Sequence, residues 1–193
     1  AGLQDPAQRA AAAMLLLDDL DNTPSEALVG AAIDGLAAEP GDPSTGPAAD
    51  RLPMPIEARR AARYLTHHVQ ICAPAIRKAL NDDNAQRRLL AAVVLTEALD
   101  RADGEAIGRV VSPHLEPNSI SGDALLASRA LLRAGPTAVR AAREMTDEPS
   151  ALARLGELEA ALTRGPPPHL ERLAGPLPWQ MPWVPQRLRG TVP

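Results

Sequence analysis

Three neighbouring side chains could bind a metal ion or act as a nucleophile. His67 and His68 precede Cys72, and the four-residue spacing of His68 and Cys72 puts both on one side of a helix. Imidazole nitrogen and thiolate sulfur are preferred ligands of Zn²⁺. Cys72, however, continues an apolar helical pattern with Leu65 and Val69, and His67 points away from that face. The pattern therefore predicts a buried structural thiol and no metal site.

Two short His-x-Glu motifs also contain groups that could do chemistry. They are His114-Leu115-Glu116 and His169-Leu170-Glu171. A zinc deaminase needs two further cysteines behind such a motif, and this chain has one cysteine in total. The chain also lacks the G-x-S-x-G, Walker A, G-x-G-x-x-G and H-E-x-x-H motifs. We expect no catalytic residue and no cofactor; the alternative is an enzyme or accessory subunit whose helical active site carries no known motif.

Charge is distributed unevenly along the chain. Residues 1–50 have a net charge of −8, whereas residues 56–88 have a net charge of +4. Such asymmetry can orient a partner, and Arg59, Arg60 and Arg63 are our candidates for partner contacts. Nucleic acid is the alternative partner for the arginine-rich region, residues 59–88. The net charge of −4 for the whole chain and the acidic N-terminal region argue against it.

The composition favours an all-α fold. The chain has 193 residues with no Phe, one Tyr and two Trp, so its core must come from Ala, Leu, Val and Ile, which allow helices to pack closely. The single cysteine excludes an intramolecular disulfide, and the longest uncharged apolar run, residues 10–17, is too short to span a bilayer. We expect a cytoplasmic protein; export is the alternative if Ala1 follows a removed signal peptide.

A short motif recurs at the start of two predicted helices. Asp5 is followed by Arg9, and Asp83 by Arg87, and in each case an Ala- and Leu-rich helix follows. Aspartate is a favoured N-cap residue, so the motif predicts one helix-start device used twice. Asp123 lies 40 residues after Asp83, and Asp83 lies 78 residues after Asp5, which indicates a period of about 40 residues.

Capping residues and apolar spacing predict the remaining helices. Thr23 is expected to cap a helix whose first residue is Pro24. An apolar stripe from Ala58 to Cys72 predicts a helix that ends at Pro74. Further helices are expected at residues 6–20, 74–80, 83–99, 105–115, 125–133, 136–145 and 149–164.

Paired helices, the period near 40 residues and the two Asp-x-x-x-Arg helix starts together resemble the HEAT repeat family and its armadillo relatives. The resemblance covers most of residues 4–165. It implies a short α-solenoid of stacked antiparallel helix pairs, in which Asp5, Arg9, Asp83 and Arg87 tie successive repeats together. It also implies a non-enzymatic protein that binds another protein along a concave face, as a scaffold or as a subunit of a larger assembly.

Two proline-rich segments depart from the repeat pattern. Residues 38–55 predict an extended loop or insertion within a helical domain that covers residues 1–165. Residues 166–193 form a tail that is too rich in proline to be helical. This tail is predicted either to pack on the domain as a strap or to dock a partner, through the apolar anchors Trp179, Met181 and Trp183.

Overall fold

Helices supply the regular secondary structure of the computed structural model, which describes residues 12–13, 15–37, 54–98, 103–115 and 121–165. Within these ranges there is no β-strand, and the predicted all-α class is confirmed. Residues 12–13 and 15–16 are helical. The longer helices are α1 (Glu26–Gly35), α2 (Ile56–His67), α3 (Val69–Ala79), α4 (Ala85–Ala98), α5 (Gly104–Val111) with the 3-10 helix Ser112–Leu115 after it, α6 (Ser121–Ala134), α7 (Pro136–Arg143) and α8 (Pro149–Arg164).

The N-caps of α1 and α4 lie one or two residues after the predicted positions. Ser25 Oγ accepts a hydrogen bond at 3.3 Å from the backbone N–H three residues later, so Ser25 and not Thr23 caps α1. Asn84 Oδ1 accepts the equivalent bond at 2.9 Å, so Asn84 and not Asp83 caps α4. Each predicted cap lies beside another good capping residue, and local sequence does not choose between such neighbours.

The helix break that we predicted at Pro74 occurs instead at His68. Helix α2 ends at His67 and α3 begins at Val69, with His68 (φ −103°, ψ 22°) between them. Pro74 lies inside α3 on its exposed side. A proline within a helix deprives one carbonyl of its N–H donor, but an exposed carbonyl can bond to water. The helix predicted at residues 74–80 is therefore the second half of a longer helix.

Helix α4 is surrounded by other helices. Residues 89–95 are each at most 1% exposed. A buried run this long extends beyond one helical turn and so includes every face of the helix. Helix α4 contacts α1, α2, α3, α5 and α6, and the aliphatic core forms around it.

Arg87 connects α4 to the first part of the fold. Its guanidinium lies 2.7 Å from Asp82 Oδ2 and 3.3 Å from Asp34 Oδ1 on α1. Hydrogen bonds from the Asn84 backbone and from Arg87 hold the pKa of Asp82 below its usual value. Arg87 of the motif thus joins α4 to α1 through Asp34 and also binds Asp82.

The helix spacing is shorter than the predicted period. Helices α4 and α6 start 36 residues apart, and α5 and α7 start 32 residues apart. Asp123 accounts for part of the difference, because it is the third residue of α6 and does not precede that helix. Asp5 and Arg9, from the first copy of the motif, lie outside the described residues, as does the predicted insertion up to residue 53.

The last described helix, α8, has the predicted leucine face. Leu155 and Leu158 are fully buried, and Leu152 and Leu162 are partly buried. After Arg164 the chain leaves the helix at Gly165, whose φ of 89° and ψ of 153° lie in a region that essentially only glycine adopts.

Helices α5 and α7 approach each other so closely that one position has no room for a side chain. A Cβ atom added to Gly108 would lie 2.2 Å from the Ala138 carbonyl oxygen and 2.9 Å from the Ala141 Cβ. A Cβ at Gly104, one turn earlier, would lie 3.5 Å from the Ala138 nitrogen. The Gly108 position therefore sets the distance between the two helix backbones.

One ion pair is buried between α4 and α6. Arg129 donates from Nε to Glu97 Oε1 at 2.8 Å and from Nη2 to Glu97 Oε2 at 3.1 Å. Only 5% of the Arg129 side chain and 1% of the Glu97 side chain are exposed. Arg133, which is half-exposed, places Nη2 3.5 Å from Glu97 Oε2. The bidentate geometry satisfies both charged groups and aligns α6 with α4.

Gly108→Ala is expected to destabilise the protein strongly. The added methyl group collides with backbone that cannot rotate away, so the free energy of unfolding should fall by about 3 kcal/mol or more. Gly30→Ala is the matched control, because a Cβ at Gly30 meets nothing within 4 Å. That control should gain roughly 0.5–1 kcal/mol, since alanine is the better helix former. Urea unfolding followed by far-UV circular dichroism measures both values, and similar values for the two variants would contradict the close approach.

Removing one member of the buried ion pair should lower the free energy of unfolding far more than removing both members. Glu97→Ala leaves the Arg129 guanidinium buried without its carboxylate, and we expect a loss of about 3–5 kcal/mol in unfolding free energy. The double variant Glu97→Leu/Arg129→Met should recover most of that loss in the same urea experiment. Glu105→Ala, which removes an exposed ion pair with Arg109, should cost less than about 1 kcal/mol. A double variant as unstable as Glu97→Ala would show that the charges themselves are required.

Candidate functional site

The histidine and cysteine cluster divides between the core and the surface. Cys72 is 1% exposed on the core side of α3, as its apolar pattern predicted. His67 is exposed and His68 is half-buried, with their rings 4.7 Å apart and perpendicular. Among the described residues, no group of three or more His, Cys, Asp or Glu side chains could hold a metal ion.

Tyr64 and His68 connect the junction of α2 and α3 to the segment that precedes α1. Tyr64 is fully buried, and its hydroxyl donates a long hydrogen bond of 3.5 Å to the Asn22 carbonyl. The His68 ring lies 4.7 Å from the Tyr64 ring and donates to the Leu20 carbonyl. These two polar side chains therefore hold the preceding segment against α2.

Burial determines the protonation of this cluster. It raises the pKa of Tyr64 and of Cys72, and it lowers the pKa of His68, an effect to which the neighbouring His67 adds. His68 Nε2 is buried and has no hydrogen-bond partner among the described residues. The three groups are therefore neutral at physiological pH. A neutral buried thiol is a poor nucleophile, so the cluster is better suited to packing than to covalent chemistry.

His114 lies beside an acidic residue of the next helix. Its Nδ1 is 3.8 Å from Asp123 Oδ2, and both side chains are largely buried, with 12% and 20% of their surface exposed. The contact joins the 3-10 helix to α6. Glu116 and the second His-x-Glu motif at residues 169–171 lie outside the described residues.

The three candidate arginines of α2 have different surroundings. Arg59 donates from Nε to the Met54 carbonyl at 3.0 Å, and Arg60 forms an ion pair with Asp18 at 3.0 Å. Arg63 is exposed and forms no ion pair within the described part of the chain. Of the three, only Arg60 pairs with a described carboxylate, and only Arg63 is exposed.

Most of the other basic side chains in residues 59–88 are also engaged within the fold. Arg77 pairs with Asp103 at 2.9 Å, and Arg88 donates to the Asp82 carbonyl at 2.7 Å. Lys78, by contrast, is exposed and has no ion-pair partner among residues that the structure describes. In the basic region, carboxylates of the fold therefore pair with Arg60, Arg77 and Arg87, while backbone carbonyls orient Arg59 and Arg88.

An exposed surface of α2 and α3 combines these free cations with apolar side chains. Ile71 is 62% exposed and Ile56 is 47% exposed, both high values for isoleucine. On each helix these exposed residues recur at the spacing of one helical face, and His68 separates the two helices along the chain. We call this the α2–α3 surface, and it comprises Ile56, Arg63, His67, Ile71, Pro74 and Lys78.

The sequence analysis did not identify the apolar part of this surface. Ile71 directly precedes the buried Cys72, so it falls off the core stripe of α3 and points elsewhere. A large aliphatic residue on the outer face of a predicted helix is the signal that could have found it. Trp179, Met181 and Trp183, the other predicted partner-binding residues, lie outside the described residues.

Comparisons with known proteins add no relative to this picture. No family model, no curated protein and no solved structure matches the chain. Among the helices in the described ranges, none has the length and apolar character needed to cross a membrane.

The buried His68 ring should make stability depend on pH. Its pKa in the folded protein is lower than in the unfolded chain, so the unfolded chain takes up a proton first as the pH falls. Neutral His68 makes its full contribution to the free energy of unfolding above a pH of about 6.5, the usual histidine pKa. That contribution is lost as the pH falls towards the pKa of His68 in the folded protein. Wild-type protein should therefore melt at a lower temperature at pH 5.5 than at pH 7.5 by differential scanning calorimetry.

Two substitutions separate the contribution of His68 from that of its neighbour. His68→Gln should reduce the difference in melting temperature between the two pH values, because the group that titrates is gone. His67→Gln, at an exposed position, should keep most of the difference. The assignment to His68 is wrong if the two variants show the same pH dependence.

Proposed function

We propose that this chain is a non-enzymatic helical module that docks another protein through the α2–α3 surface. The observation that carries the proposal is Ile71, an aliphatic side chain that is 62% exposed on a helix whose opposite face is packed in the core. Covering such a side chain contributes about 1.5–3 kcal/mol. Arg63 and Lys78 lie on the same surface and can select the partner by charge.

The chemistry of the surface defines the partner that fits it. Ile56, Ile71 and Pro74 offer apolar area, while Arg63 and Lys78 require carboxylates opposite them. Apolar residues at the centre of an interface provide affinity, and charges at its rim provide specificity and faster association. The matching partner is an acidic protein segment with large apolar side chains at its centre.

Pro74 gives this surface a backbone acceptor as well. It has no N–H to donate to the Gln70 carbonyl, which is one helical turn earlier in α3. Both residues are exposed. A donor on the partner can therefore bond to this carbonyl, in addition to covering Ile71.

The architecture that we propose for the module is a short HEAT-like α-solenoid. Helix α4 packs against α5 and α6 against α7, while α4 also contacts α6 and α5 contacts α7. Contacts between equivalent helices of consecutive pairs are typical of stacked repeats. Helix α8 adds to the last pair through contacts with α6 and α7.

The alternative functions have less support in the structure. Nucleic-acid affinity grows with the number of phosphates neutralised, and three of the seven basic side chains in residues 59–88 are already paired with carboxylates of the fold. For an enzyme, the cluster of Tyr64, His68 and Cys72 would be the candidate centre, but its side chains are neutral and it packs against the core. We therefore propose protein docking ahead of both.

Substitutions on the α2–α3 surface test the proposal. Immobilised wild-type chain and the variants Ile71→Asp and Arg63→Glu are each incubated with lysate of the source organism, and the bound proteins are quantified by mass spectrometry. A partner that depends on the surface is then purified, and its Kd is measured by calorimetry. We expect each substitution to weaken binding by about tenfold or more, or about 1.4 kcal/mol.

Ala27→Asp is the control, because Ala27 is exposed on α1 and lies outside the surface. It should bind the partner like wild type, and all variants should keep their far-UV circular dichroism. Two results would reject the proposal: a partner that binds every variant equally, or duplex DNA that binds wild type at low salt and fails to bind Arg63→Glu.

A further inference from the structure

A short acidic and apolar turn precedes α1. Residues 15–22, called the acidic turn below, begin with Leu15 and Leu16, which are 65% and 50% exposed. Asp19 and Asp21 are also exposed, and neither forms an ion pair within the described part of the chain. Exposed aliphatic side chains and carboxylates without a cation partner therefore lie within one short segment.

The acidic turn has a defined position because its other side is bound to the fold. Leu17 is fully buried. Asp18 pairs with Arg60 of α2 at 3.0 Å, and the Asn22 carbonyl accepts the long hydrogen bond from the Tyr64 hydroxyl. The exposed side chains of the turn are thus held on a fixed frame, so little conformational entropy is lost when a partner binds them.

The acidic turn lies beside the α2–α3 surface. Arg60, which binds Asp18 of the turn, comes four residues after Ile56 and three residues before Arg63. At that spacing Arg60 lies next to both residues on α2, at the edge of the stripe that they form. A patch with negative charge and a patch with positive charge, each containing exposed aliphatic side chains, therefore adjoin along α2.

The two patches complement each other in chemistry. The α2–α3 surface offers Ile71 together with the cations Arg63 and Lys78, and the acidic turn offers two leucines together with two carboxylates. This is the acidic segment with large apolar side chains that the α2–α3 surface requires of a partner. The leucines of the turn are exposed in the fold, so they do not cover that surface within their own chain. A second copy can bring its acidic turn to it.

We propose that the partner of the α2–α3 surface is a second copy of this chain, whose acidic turn docks there. The leucines of the turn pack against Ile71, and its carboxylates face Arg63 and Lys78. Because the two patches adjoin, a two-fold axis lets each copy give its turn to the other, as in an isologous dimer. Each patch has few large side chains, so the dimer belongs with small, transient interfaces. The proposal rests on the docking function proposed above and names its partner.

Sedimentation equilibrium of the purified full chain tests the proposal, because no other protein is present. The weight-average mass of wild type should rise from that of a monomer towards that of a dimer between micromolar and millimolar concentration. Ile71→Asp, Arg63→Glu and Asp21→Arg should each raise the dissociation constant of the dimer by about tenfold or more. Leu15→Asp is a second variant of the turn for the case that Asp21→Arg does not fold, as judged by far-UV circular dichroism.

Arg140→Glu and Glu144→Arg are the matched controls for the two charge reversals. Arg140 is exposed on α7 and Glu144 is exposed directly after it, and neither belongs to the acidic turn or to the α2–α3 surface. Both variants should associate like wild type.

A mixture of two variants shows whether the two patches contact each other. Arg63→Glu keeps an intact acidic turn, and Asp21→Arg keeps an intact α2–α3 surface. An equimolar mixture should associate more strongly than either variant alone, because the intact turn of one meets the intact surface of the other. The second contact of the mixed dimer brings the two reversed charges together and is attractive as well.

Three results would overturn docking between copies: wild type that stays monomeric at millimolar concentration, self-association that folded variants of both patches leave unchanged, and folded variants that gain nothing on mixing. The lysate experiment separates such a failure from failure of the docking function itself. A different protein whose capture depends on Ile71 and Arg63 would support that function while self-docking is rejected.

Discussion

A core without phenylalanine must reach normal packing density by bringing its helices close together, and the crossing of α5 and α7 is the extreme case. Dispersion contacts are lost within an ångström of separation, so small side chains stabilise a fold only if backbones approach to match them. At Gly108 the approach leaves no space for even a methyl group. The position of α7 follows from that contact, and α6 and α8 pack against α7 in turn.

Small aliphatic side chains allow dense packing, but they fix the relative position of two helices only weakly. Alanine-rich surfaces can shift along one another with little change in contact area. Directional polar contacts supply the register in this fold. Arg129 and Glu97 align α6 with α4, and Arg87 aligns α4 with α1 through Asp34. A shifted packing would separate Arg129 from Glu97 and leave buried charge unpaired, which is far more costly than a lost methyl contact.

The proposed α2–α3 surface follows from the same composition. Where helices α2 and α3 leave isoleucine in water, the fold offers area that another protein can cover.

The amino-acid sequence by itself determined the helical class, the approximate positions of most helices, the buried Cys72 and the leucine face of α8, because these depend on spacing within one helix. It misplaced the break between α2 and α3, since nothing local distinguishes a tolerated proline at Pro74 from one that ends a helix. It also grouped Arg59, Arg60 and Arg63 as one candidate site. Only the tertiary structure separated Arg60 from Arg63, because Asp18, which pairs with Arg60, belongs to a distant segment of the chain, whereas the contact of Arg59 with the Met54 carbonyl is local.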